Sequence, residues 1–157
     1  MWFGLGVAAV VAVADQLTKL WILHFFAARA GGPPVVAIAP FFNLVLTGNR
    51  GVSFGLFNND ATANMAIFTA VAGVIIVGLL LWLRRADTAV LRLGLGMVIG
   101  GAIGNVVDRL THGAVVDFLD FHLGDWHWFA FNLADAAICL GVGALLLDGL
   151  LGRRGNA

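Results

Sequence analysis

Four long apolar stretches, at about 2–24, 63–83, 93–110 and 131–151, dominate this chain. Each is close to the ~20 residues that an α-helix needs to cross a bilayer. With 61% hydrophobic and 11% charged residues over 157 positions, the composition lies far from that of soluble domains. The expected fold is therefore an all-α membrane protein, a four-transmembrane-helix bundle forming a single domain over 1–157, with membrane lipid as its first partner. The N-terminal stretch has neither a basic start nor a small-residue cleavage site and runs into the polar "ADQLTKLW". It is expected to remain as an anchor and not to be removed as a signal peptide. Net charge is zero, which gives nucleic acid no electrostatic hold.

The placement of charge sets the orientation. Arg84, Arg85 and Arg92 fall between the second and third spans, and Arg153 and Arg154 follow the fourth. The positive-inside rule puts both clusters, and hence both termini, in the cytoplasm. The segments at about 25–62 and 111–130 then share the outer face. In the first, "VVAIAPFFNLVLTGNRGVSFGLF" is rich in β-branched and aromatic residues, carries a Gly-Asn-Arg-Gly turn signal and contains Pro40; Pro33 and Pro34 precede it. A short hairpin or small sheet between helices 1 and 2 is expected there. Asp60 or Thr62 would cap the second helix. In the third span Gly96, Gly100 and Gly104 recur every four residues, a face that lets a neighbouring backbone approach closely. Cys139 has no second cysteine to pair with and reads as packing.

The chemistry-bearing residues collect near the outer ends of the spans. Asn105, Asp108 and Arg109 follow the glycine face at i, i+3 and i+4 and can point the same way; an Asp108 and Arg109 surface charge pair is the plainer reading. Asp15 and Lys19 form an i, i+4 pair, readable as an ion pair with Lys19 snorkelling to the interface. Asp117 stands in "AVVDFLDF" and Asp135 in "FNLADAAICL", both near one membrane face. Two carboxylates brought together in a partly dry site cannot easily both ionise; one pKa rises, leaving an acid and a base that can share a water. Such a pair suits amide hydrolysis. A proton relay or two helix caps would use the same residues. Asn132 reads equally as an N-cap and as a donor that orients Asp135.

Taken in order, "DQLTK" at 15–19, "NRGVSFGLF" at 49–57, "GNVVDR" at 104–109, "VVDF" at 115–118 and "FNLAD" at 131–135 resemble the motifs of the lipoprotein signal peptidases, also called signal peptidase II. The resemblance implies an aspartic endopeptidase of the bacterial cytoplasmic (inner) membrane whose catalytic pair is Asp117 and Asp135. Asp15, Lys19, Asn49, Gly51, Asn105, Asp108, Arg109 and Asn132 would hold the substrate or brace that pair. It further implies diacylglyceryl-modified prolipoprotein substrates, already processed by prolipoprotein diacylglyceryl transferase, and cleavage just before the lipidated lipobox cysteine. The site would open at the outer, periplasmic face, under a cradle formed by the hairpin. No metal or other cofactor is implied. Val52 and Ser53 depart from the two alanines expected within "NRGVSFGLF".

Other readings predict different patterns. "DFLDFHLGDWHW" gathers Asp117, Asp120, His122, Asp125 and His127 in a short outer loop, residue types that can bind zinc, although the spacing fits no metal motif and the aromatics suit an interfacial belt. Ser53 is the only serine in the chain, and His24, His112, His122 and His127 fall in no partner motif for it. A proton-coupled carrier would place ionisable groups near the midplane of several spans. A non-catalytic assembly protein would account for the helices and the glycine face and leave the two aspartate motifs unexplained.

Overall fold

The computed structural model describes residues 1–29, 31–50 and 61–154. Its elements run α1 (Trp2–Ala27), β1 (Val35–Ala39), β2 (Phe42–Asn49), α2 (Ala61–Arg85), α3 (Ala89–His112), β3 (Val115–Leu123), β4 (Trp126–His127) and α4 (Leu133–Arg154). Four helices are long and apolar enough to cross a membrane, as expected. The third outruns its apolar stretch at both ends because local chemistry extends it. Thr88 caps its start by accepting the Leu91 N–H at 3.0 Å. Gly113, at φ 71°, ends it in the left-handed conformation that glycine adopts without strain. The second helix begins at Ala61, so Thr62 lies inside it; Asp60, Gly51, Val52 and Ser53 lie outside the described residues.

α3 is the central helix, packed on α1, α2 and α4. A Cβ on Gly96 would lie 2.5 Å from the Gly4 carbonyl oxygen, and one on Gly100 would lie 2.5 Å from that of Ala8. These two glycines let α1 and α3 touch backbone to backbone, and Gly104 continues the same face against the Asp15 carboxylate. A second set serves α4. Gly94 faces the Gly141 carbonyl, Gly101 faces that of Ala134, and Gly141 faces that of Gly94. Leu83, Leu91, Leu95 and Ile99 fill the core toward the α2–α3 turn. Cys139, expected to pack, is exposed instead, on the surface that a bilayer would cover.

The sheet is larger than a hairpin between helices 1 and 2. It has four antiparallel strands in the order β1-β2-β3-β4, so both outer segments contribute. β2 pairs with β3 in a register that sets Asn43 opposite Asp120 and Thr47 opposite Asp117, with an irregularity between Leu44 and Thr47. The segment expected as an outer loop, 117–127, is therefore mostly strand. Its β3 part satisfies its backbone groups against β2 on one side and its β4 part pairs back onto β3 on the other. Ile22 and Phe26 at the top of α1 pack with Phe118, Val36 and Leu44, seating the sheet on the bundle.

Candidate active site

Asp117 lies on β3 and Asp135 in the first turn of α4, and both meet Asn132. The Asn132 side-chain amide donates to Asp117 Oδ1 at 2.7 Å. Its own Oδ1 accepts the Asp135 N–H at 3.0 Å, and its backbone N–H donates to Asp135 Oδ2 at 3.2 Å. The last two bonds form a reciprocal cap on α4, satisfying N–H groups that a helix start leaves free. Asn132 thus caps α4, while its side-chain amide goes to Asp117 and Asn105 and only its backbone N–H meets the Asp135 carboxylate. Asp135 Oδ1 also accepts the Asn105 amide at 2.8 Å.

Beneath the pair lies a dry charged cluster. Lys19 Nζ sits 2.7 Å from Asp15 Oδ2, 2.9 Å from Asp108 Oδ2 and 3.1 Å from Asn105 Oδ1. Lys19, Asp15 and Asp108 are all buried, so Lys19 does not snorkel. Two carboxylates inside the bundle compensate it, as a buried charge requires. Each of these carboxylates also anchors an aspartate-bearing element. Asp15 Oδ1 accepts the Ala134 N–H of α4 at 2.9 Å, beside Asp135. Asp108 Oδ2 accepts the Val116 N–H of β3 at 2.9 Å, beside Asp117. Lys19 therefore ties together the two supports of the pair.

Arg109 does not join this cluster. Consecutive helical residues diverge by about 100°, so once Asp108 faces Lys19 its neighbour cannot; the Arg109 guanidinium donates to the Asn105 carbonyl at 3.2 Å. Among the described residues no carboxylate pairs with it, and Asp108 bonds the buried Lys19 in place of the surface pair with Arg109 that the sequence left open. Sequence reasoning passed over Gln16, whose amide donates to Asp108 Oδ1 at 2.9 Å and to the Gly104 carbonyl at 3.2 Å. Its signal was a second polar residue beside Asp15 in an apolar helix.

At Asp117, a cleft of about 360 Å³ is lined by Thr47, Asn49, Arg50, Asp117, Phe129 and Ala130. The Asn49 side chain hydrogen-bonds Asp117. Burial pushes the Asp117 carboxyl up from 3.8 to about 6; the Asn49 and Asn132 amides oppose that rise and the nearby Asp135 charge adds to it. Asp120 behaves differently. Burial would raise it, but hydrogen bonds from Asn43 and His127 hold it below the usual carboxylate range. The zinc reading thus meets an Asp120 already engaged by Asn43 and His127. Among the described residues no three histidine, cysteine or acidic groups gather as metal ligands.

These features define a multi-pass membrane protein with two carboxylates joined through one asparagine, one of which, Asp117, lines a cleft. The family model for Signal peptidase (SPase) II matches residues 7–151. A lipoprotein signal peptidase of Rhodopseudomonas palustris is 47% identical over 94% of this chain and 93% of its own length. One of Nitrobacter hamburgensis is 46% identical over 93% and 92%, and one of Burkholderia mallei is 45% identical over 96% and 89%. Two solved structures titled as bacterial membrane enzymes share the fold, with TM-scores of 0.75 and 0.77 at 24% identity. The first alignment covers 99% of this chain and 92% of that one, the second 96% and 94%. The chain belongs to the signal peptidase II family, membrane peptidases that remove signal peptides from lipoproteins.

Proposed function

We propose that this peptidase cleaves diacylglyceryl-modified prolipoproteins immediately before the lipidated cysteine, using Asp117 and Asp135 to activate a water held between them. The observation that carries this reading is Asn132, which binds both carboxylates at once from the junction of β3 and α4. Asp135 is the base. Two N–H donors and the positive end of α4 meet its negative charge. Asp117, raised by burial, is the acid. Water oxygen attacks the scissile carbonyl, one water proton passes to Asp135, and the Asp117 proton goes to the carbonyl oxygen, giving a neutral tetrahedral intermediate. On collapse Asp135 returns its proton to the departing amine nitrogen and Asp117 recovers its own from a hydroxyl. Asp15, Lys19, Asn105, Asp108 and Asn132 brace the pair, and Asn49 meets substrate in the cleft.

In this reading the chain acts as a single domain of the bacterial inner membrane, with both termini cytoplasmic and the cleft at the outer, periplasmic face. The arginines at the α2–α3 turn, at the opposite end of the bundle from the sheet, support that orientation. A substrate anchored by two acyl chains presents its scissile bond at the depth of the outer helix ends, where Asp135 begins α4. The lipid must be attached before cleavage, so the peptidase follows the diacylglyceryl transferase. The test is to incubate the purified protein with a diacylglyceryl-modified precursor and its unlipidated twin, with and without chelator, and weigh the products. Cleavage of the lipidated form alone, leaving cysteine as the new N-terminus regardless of chelator, is expected. Equal cleavage of both forms, or a cut elsewhere, would overturn the reading.

A further inference from the structure

Between β3 and α4 the chain reads "FHLGDWHWFAF" over 121–131, with Asp125 its only carboxylate. Gly124, at φ 60°, supplies the left-handed position of the two-residue turn joining β3 to β4. The turn throws large apolar groups outward: Leu123 is 80% exposed, Trp126 61%, Trp128 59% and Phe129 83%. With Phe41 and Phe131, three of these residues line an apolar groove of about 380 Å³. Water around such a cluster is costly, and a patch of this kind marks a contact surface.

Two observations say what covers it. The first is position: Phe131, which lines the groove, lies two residues before Leu133, where the fourth span begins, and so within about 7 Å of that span's end. Backbone bonds tighten the tether, since the Phe131 carbonyl accepts the Leu119 N–H at 2.8 Å and the Phe121 carbonyl accepts the Trp128 N–H at 2.8 Å. The groove therefore sits beside the outer end of α4, a helix whose Leu140, Leu146 and Leu147 are exposed. The second is chemistry. Tryptophan, with an apolar ring and one N–H donor, favours the boundary between headgroups and acyl chains. The hairpin is also braced from behind. Asp120, buried under it, accepts the Asn43 amide at 2.8 Å and pairs with His127 at 2.9 Å, while His122 stacks on His127 at 4.8 Å.

We infer that the β3–β4 hairpin is an interfacial anchor, its Trp126 and Trp128 side seated in the headgroup–acyl boundary of the bilayer on the sheet side. This goes beyond the peptidase reading and does not depend on it. Because Asp117 lies on the same strand, the anchor sets the depth of that strand relative to the bilayer, and Asp120 makes the connection stiff.

The test is tryptophan emission in phosphatidylcholine vesicles, using the full chain with Trp2, Trp21 and Trp82 changed to Phe so that Trp126 and Trp128 report alone. Lipid brominated near the headgroup should quench this emission more than lipid brominated near the chain ends, and aqueous iodide should quench it little. If that variant does not fold, the same signal is the difference between the native chain and its Trp126→Phe, Trp128→Phe variant. Strong iodide quenching without bromolipid quenching would place the hairpin in water and overturn the inference. Shielding from both quenchers, as between two copies of the chain, would overturn it as well, and so would stronger quenching from the chain ends.

Discussion

Asp117 is a buried carboxyl whose ionisation costs the fold stability. Its carboxyl is nearly inaccessible to solvent, and its pKa in the fold, about 6, lies above the ordinary 3.8. The folded state thus holds a proton that the unfolded chain releases. The stability this provides is complete below the ordinary carboxylate pKa and is lost as pH rises through about 6, a change on the order of 3 kcal/mol. Asp117→Asn removes the penalty of burying a charge. Thermal unfolding in detergent should find the variant equal to the native protein near pH 4 and more stable near pH 8; a native protein more stable at pH 8 would refute this. Asn132 is open to a similar dissection. Asn132→Ala loses the cap on α4, a cost of about 1 kcal/mol, and also the amide on Asp117. Asn132→Ser keeps a capping oxygen but cannot reach Asp117 as the amide does, so it should recover melting temperature without recovering kcat. Recovery of both would mean that Asn132 serves only as a cap.

Among the elements, α3 decides the packing, and it does so through missing side chains. Gly100→Ala would drive a methyl into the Ala8 carbonyl at 2.5 Å and the Val11 Cβ at 2.8 Å. Parting the helices should cost about 1–3 kcal/mol. Gly6→Ala, with nothing within 4 Å, should be neutral or mildly stabilising. Equal melting temperatures for the two variants would refute the close packing of α1 on α3. The face Gly96, Gly100 and Gly104 was legible in the sequence because its spacing repeats. The second face, Gly94 against Gly141 and Gly101 against Ala134, was not, because a spacing of seven shows only with the partner helix in view. The helices themselves were legible for a simple reason: a bilayer demands long apolar runs, and these runs are unmistakable. The joining of β3 to β2 was not, because pairing between strands some seventy residues apart leaves no local mark.

For the molecule as a whole, polar groups carried by α1, α3, α4, β2 and β3 converge on one end of the bundle. Motif order in the sequence picked out the residues of this cluster but not how they connect. It could not show that Asp15 supports α4 and Asp108 supports β3, with Lys19 between them, since those bonds cross between helices. Nor could it show that Arg109 turns away, because i+3 and i+4 neighbours share a face only loosely. In the proposed mechanism two aspartates, delivered by a strand and a helix, share one water. The most direct measurement is single-turnover cleavage of a diacylglyceryl-modified precursor by the native protein, Asp117→Asn and Asp135→Asn, each shown to be folded by its melting transition. Asparagine keeps the size and most of the hydrogen bonds while removing the acid. Loss of a positioned proton-transfer group costs roughly 10²–10⁴-fold, so each variant alone should fall at least that far while still binding precursor. A folded variant of either kind that cleaves at the native rate would contradict the mechanism.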